Sequence, residues 1–148
     1  MNFYIMKYPV GLIILLLMIL PFSCCISDNE KNETEFFLTH LYVSNQSFSD
    51  SLINISISID EVEYFNKSCF VGDQHIWEYI EFNLSKGKHD FVAIELNSNT
   101  IGFTTFDIQN ENWIVIDFWY YTESDFPHAS PEPRHFTFDI SSTEVGFV

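Results

Sequence analysis

Positive charge is what this chain lacks most: six lysines and arginines stand against 21 aspartates and glutamates in 148 residues, a formal charge of −15. Phosphate backbones are held mainly by Lys and Arg that displace their counterions, so no nucleic-acid partner is expected. Such a surface ordinarily serves only to keep a protein solvated. Glycine is scarce, with five residues in all, and no glycine-rich loop is present to cradle phosphate, nor a G-x-S-x-G elbow to present a nucleophile. Cysteine is limited to three residues, Cys24, Cys25 and Cys69, without C-x-x-C spacing, which argues against a cysteine-ligated metal. The histidines, His40, His75, His89, His128 and His135, show neither H-E-x-x-H nor H-x-H spacing. Paired carboxylates occur throughout so acidic a chain and discriminate nothing. The sequence therefore reads as a non-enzyme that needs no cofactor. Repeats are missing as well, and the length suits a single domain behind a targeting segment.

Only one long hydrophobic run is present, "VGLIILLLMILPF" at residues 10–22, with Lys7 before it. It is shorter than the roughly 20 apolar residues of a bilayer span, and it fits the hydrophobic region of a secretory signal. Phe22, Ser23 and Cys24 follow directly and resemble the lipobox of bacterial lipoproteins, with Pro21 standing where that family usually has Leu. The resemblance implies cleavage before Cys24, acylation of its sulfur and new amino terminus, and a membrane as the first partner. Two or three acyl chains anchor durably, since each buried methylene contributes about 0.8 kcal/mol. Ser27, Asp28, Asn29 and Glu30 are similar to acidic tetrads that direct some lipoproteins to the outer face of the outer membrane. Residues 1–23 are thus expected to be a signal peptide, 24–35 an acidic tether with little to bury, and 36–148 the folded body. Pairing of Cys69 with Cys25 would draw the domain onto the lipid, so a buried, unpaired Cys69 is the favoured reading.

In the body the apolar period is near two. Ile53, Ile55, Ile57 and Ile59 alternate with Asn54, Ser56 and Ser58, the pattern of a half-buried strand. Residues 36–43 and 61–65 make further strands. Residues 76–84 and 89–96 are expected to pair as a hairpin around Gly87, and 100–108 with 113–121 around "QNEN". In "WIVIDFWYY" both parities are apolar apart from Asp117, which predicts a central strand covered on both faces. Phe136, Phe138 and Ile140 would point inward from the last strand. Seven or eight short strands without an amphipathic helix describe an all-β, antiparallel β-sandwich. Residues 51–121, with "ISIDEVEYF", "LSKGKHDFVAIEL" and "FDIQNENWIVIDFWYY", resemble small immunoglobulin-like modules of bacterial surface proteins.

Aromatics supply the candidates for binding. Trp77 and Tyr79 share one parity of the expected strand 76–84, opposite Ile76, Ile80 and Phe82, and Trp113, Trp119 and Tyr121 share one parity of another. Covered by a second sheet they are core, the ordinary role of aromatics in a sandwich; left outside they form a platform for a sugar ring or a peptide. The loop at residues 122–134 gathers Glu123, Asp125, His128 and Glu132 beside His135, a weak candidate for a divalent cation and more simply a solvated connection. The five N-x-S/T sites carry meaning only in a eukaryotic secreted protein. Together these readings predict a lipid-anchored cell-envelope protein with a structural or protein-binding role, partnered by another envelope protein. The alternative is a carbohydrate-binding module acting through Trp77, Tyr79, Trp119 and Tyr121.

Overall fold

Alternating side chains become eight strands in a computed structural model that describes residues 33–72, 76–125, 128 and 130–146. The expected signal segment, Cys24, Cys25 and most of the tether lie outside these residues, as does His75. The strands are β1 (Phe36–Asn45), β2 (Leu52–Ile59), β3 (Val62–Phe70), β4 (Glu78–Ser85), β5 (Gly87–Glu95), β6 (Thr100–Ile108), β7 (Asn112–Tyr121) and β8 (Glu132–Ser141). One 3-10 turn, Glu123–Asp125, precedes β8. One sheet runs β4-β1-β7-β8 and the other β3-β2-β5-β6, so the fold is a β-sandwich. All neighbours are antiparallel except β1 and β7, which run parallel from Thr39 opposite Asn112 to Asn45 opposite Phe118.

The core is what the period of two dictates. Ile53, Ile55, Ile57 and Ile59 of β2, with Phe91 and Ala93 of β5, face Leu41 and Val43 of β1 and Ile114, Ile116 and Phe118 of β7, all at most 2% exposed. Burying each such side chain stabilises the fold by roughly 1.5–3 kcal/mol. Phe91 meets Phe106 edge-on at 5.2 Å, and Phe118 meets Phe136 in the same manner at 5.3 Å. Cys69 lies opposite Ile53 at the rim of this core, free and buried. Burial first, and then the Glu78 charge, push its thiol up to about 12, so the nucleophilic thiolate is suppressed.

Two expected hairpins do not form. β4 and β5 follow one another with only Lys86 between them, yet β4 pairs with β1 and β5 with β2 and β6. Gly87, at φ 126°, supplies the backbone conformation that turns the chain from one sheet into the other. Likewise β6 pairs with β5, and β7 pairs with β1 and β8. An apolar face is satisfied equally by lying beside a neighbour or by meeting it across the core, and alternation does not distinguish the two. Ile140 is a further correction: it is 41% exposed, on the edge strand β8 beside the buried Ile114.

The β2–β3 hairpin turns through Asp60 and Glu61, both at positive φ, the handedness a two-residue connection requires. Asp60 is clasped from β5: its carboxylate accepts from the Asp90 N–H at 2.9 Å and from His89 Nδ1 at 2.6 Å. Burial pushes this carboxyl upward, but those two hydrogen bonds and the His89 ring outweigh it and hold the net value below the ordinary carboxylate range. His89 Nε2 donates to the Ser85 carbonyl at 2.7 Å, so a buried histidine joins the hairpin to the β4–β5 corner.

Candidate functional site

The outer face of the β4-β1-β7-β8 sheet collects side chains that the core does not use. In β7 the residues facing inward are Asn112, Ile114, Ile116 and Phe118, so Trp113, Val115, Asp117 and Trp119 face outward. β7 is central, between β1 and β8, as expected, but its second apolar parity belongs to this outer face and not to a second core. In β4, Tyr79 and Glu81 point outward, and in β1, His40, Tyr42 and Ser44 do so. Strand register then sets the neighbours: His40 lies beside Glu81 on one side and Trp113 on the other, and Tyr42 lies beside Tyr79.

Three rings line up across three strands. His40 stacks on Trp113 at 4.8 Å between centroids with the planes 7° apart, and on Tyr79 at 6.1 Å and 16°. Tyr42 meets Tyr79 at 5.0 Å, tilted. The Tyr79 hydroxyl donates to Glu81 Oε2 at 2.9 Å and so receives the proton of His40 Nδ1 at 2.8 Å, while His40 Nε2 faces Glu111 Oε1 at 2.9 Å. His40 thus bridges Tyr79 and Glu111 through its two ring nitrogens while its ring lies flat against the indole of Trp113. Desolvation first, and then the hydrogen bond and charge of Glu81, push the Tyr79 phenol up to about 12, so it stays protonated and serves as a donor.

Asp117 sits beside Ser44 in the register, one pair beyond Tyr42 and Val115. Its Oδ1 accepts from Ser44 Oγ at 2.5 Å and from Trp77 Nε1 at 3.3 Å, and Gln46 Nε2 donates to Ser44 Oγ at 2.7 Å. Trp119 donates through Nε1 to Thr137 Oγ1 at 3.0 Å and meets Tyr121 edge-on at 6.0 Å. Burial raises the Asp117 carboxyl above its ordinary value; Ser44 and Trp77 lower it, and Asp139 adds to the rise. The sign of the linkage follows. A folded-state value above the unfolded one means that the protonated group favours the fold, and this stabilisation is lost as pH rises through the folded value. Asp117→Asn, which keeps an oxygen for Ser44 and Trp77, is expected to raise the melting temperature at pH 7. That gain should shrink toward zero below the ordinary carboxylate range, and thermal melts from pH 3 to 8 measure it.

The aromatic candidates Trp77, Tyr79, Trp113, Trp119 and Tyr121 therefore belong to one sheet face. With them stand His40, Tyr42 and Ser44, which sequence reasoning did not assign to the site. The signal was the second apolar parity of β7 combined with its parallel pairing to β1, and the pairing is not legible from one sequence. The weak cation candidates make separate contacts. The Asp125 carboxylate accepts from Ser49 Oγ and the Thr122 N–H, and Glu132 lies 3.4 Å from His135 Nε2. Among the described residues no three His, Cys, Asp or Glu side chains are grouped to hold a metal. The sequence matches no protein-family model, no curated protein and no solved structure.

Proposed function

We propose that the protein is a lipid-anchored, non-catalytic component of the cell envelope, held to the outer membrane through acylated Cys24, which docks a protein partner on the outer face of the β4-β1-β7-β8 sheet. The observation that carries the docking role is the concentration of Trp77, Tyr79, Trp113 and Trp119 on one face, with Tyr79 43% exposed. Aromatic side chains give large contact area at low entropic cost and dominate protein interfaces. Support for the anchor comes from the apolar run at residues 10–22 and the Phe22-Ser23-Cys24 box.

Sugar capture is the second reading, favoured by the same indoles. A sugar ring stacks on a free aromatic face, whereas Tyr79, His40 and Trp113 are stacked on one another. That consumption of ring faces favours a protein partner. Metabolic labelling with a clickable fatty acid is expected to mark the wild-type protein and to lose essentially all signal in Cys24→Ala; an unlabelled wild type would overturn the anchor. A photo-crosslinking amino acid placed at Tyr79 is expected to yield a protein adduct in intact cells, and the same residue at Val92 in the other sheet to yield none. A glycan array with Trp77→Ala and Trp119→Ala controls decides the sugar reading, since a signal lost in both variants would favour it.

A further inference from the structure

The docking face combines π-faces with carboxylates, and among the described residues no lysine or arginine belongs to it. Glu81, Glu111, Asp117 and Asp139 lie on or beside it, and Asp139 occupies the position opposite Val115 and is exposed. Glu144 is near enough to act electrostatically on Tyr79. The described cations are placed elsewhere: Lys67 pairs with Glu78, Lys86 with Glu35 and Arg134 with Asp50, while Lys88 extends from β5 in the other sheet. His40, on this face, is placed with its two ring nitrogens toward the Tyr79 hydroxyl and the Glu111 carboxylate.

We infer that the docking face recognises a basic segment of its protein partner, a lysine or arginine side chain lying over Trp119, whose contact with Tyr121 is edge-on, and neighbouring charges directed at Asp139 and Glu144. This rests on the docking reading above and specifies its partner. An ammonium or guanidinium over an indole is attracted by the ring quadrupole, and adjacent carboxylates add to the attraction. Charge complementarity selects this occupant over a second copy of the chain, because two chains of formal charge −15 repel.

The test uses the full chain in zwitterionic nanodiscs and a 12-residue peptide of alternating lysine and alanine, with its Nε-acetyl-lysine twin, titrated by calorimetry. The charged peptide is expected to bind, and the acetylated twin to bind at least about tenfold more weakly, a difference of about 1.4 kcal/mol. Asp139→Asn/Glu144→Gln should weaken the charged peptide about tenfold. The charge-matched pair Glu61→Gln/Asp107→Asn, on the turn and strand of the other sheet, should change it less than about twofold. Equal losses from both pairs, or no binding of the charged peptide, overturn the inference. Equal binding of the two peptides, with Trp119→Leu weakening both, overturns the cationic preference and leaves the docking face standing. Trp119→Leu without effect on either peptide overturns both readings.

Discussion

Phe91→Ala is expected to destabilise the protein by about 3–5 kcal/mol, the cost of deleting a fully buried phenylalanine and leaving a cavity that the two sheets cannot close. Phe91 is 0% exposed, stands in β5 opposite the β1 and β7 side chains, and holds Phe106 edge-on. Domains of this size are stable by only about 5–15 kcal/mol, so about a fifth or more of the margin is at stake. Urea unfolding should show a lower midpoint with little change in slope, since the surface exposed on unfolding is nearly the same. Phe103→Ala is the matched control. Phe103 is 62% exposed on the outer side of β6, and its removal should stay within about 0.5 kcal/mol. Equal effects at the two positions would contradict the placement of the core.

Gly102→Val is the second large effect and works in the opposite sense, by overfilling. A Cβ built on Gly102 lies 2.7 Å from Phe136 Cβ and 2.8 and 2.9 Å from the Phe138 ring. Carbon atoms pack best at about 3.5–4.0 Å, so β6 and β8 must part or both phenylalanines must leave their places. The expected cost is about 1–3 kcal/mol or more. The requirement is one of space: Gly102 is not among the glycines at positive φ, so its backbone suits any residue. A double-mutant cycle separates the two causes. Gly102→Ala should cost less in a Phe138→Ala background, because two of the three close atoms are then gone, and additive costs would refute the steric account.

Faces were legible in the sequence; partners were not. The β2 isoleucines, the half-buried outward row of Asn54, Ser56 and Ser58 and the central place of β7 follow from alternation alone. Which strand lies beside which depends on corners such as Lys86–Gly87, where one residue decides between a hairpin and a change of sheet. Both readings bury the same side chains, so hydrophobic pattern is blind to the choice. The site suffered from the same blindness. Trp77, Tyr79, Trp119 and Tyr121 were identifiable as large aromatics, but their convergence with His40 and Trp113 depends on β1 entering the sheet between β4 and β7. His40 read as an ordinary strand histidine because its partners, Glu111 and Trp113, are more than seventy residues away.

That same placement of β1 has a temporal consequence. Among the described residues the first strand to be synthesised, β1, is hydrogen-bonded on one side to residues 78–85 and on the other to residues 112–118. Half of its ladder therefore waits until most of the polypeptide has been made, and loop closure over such separations is slow.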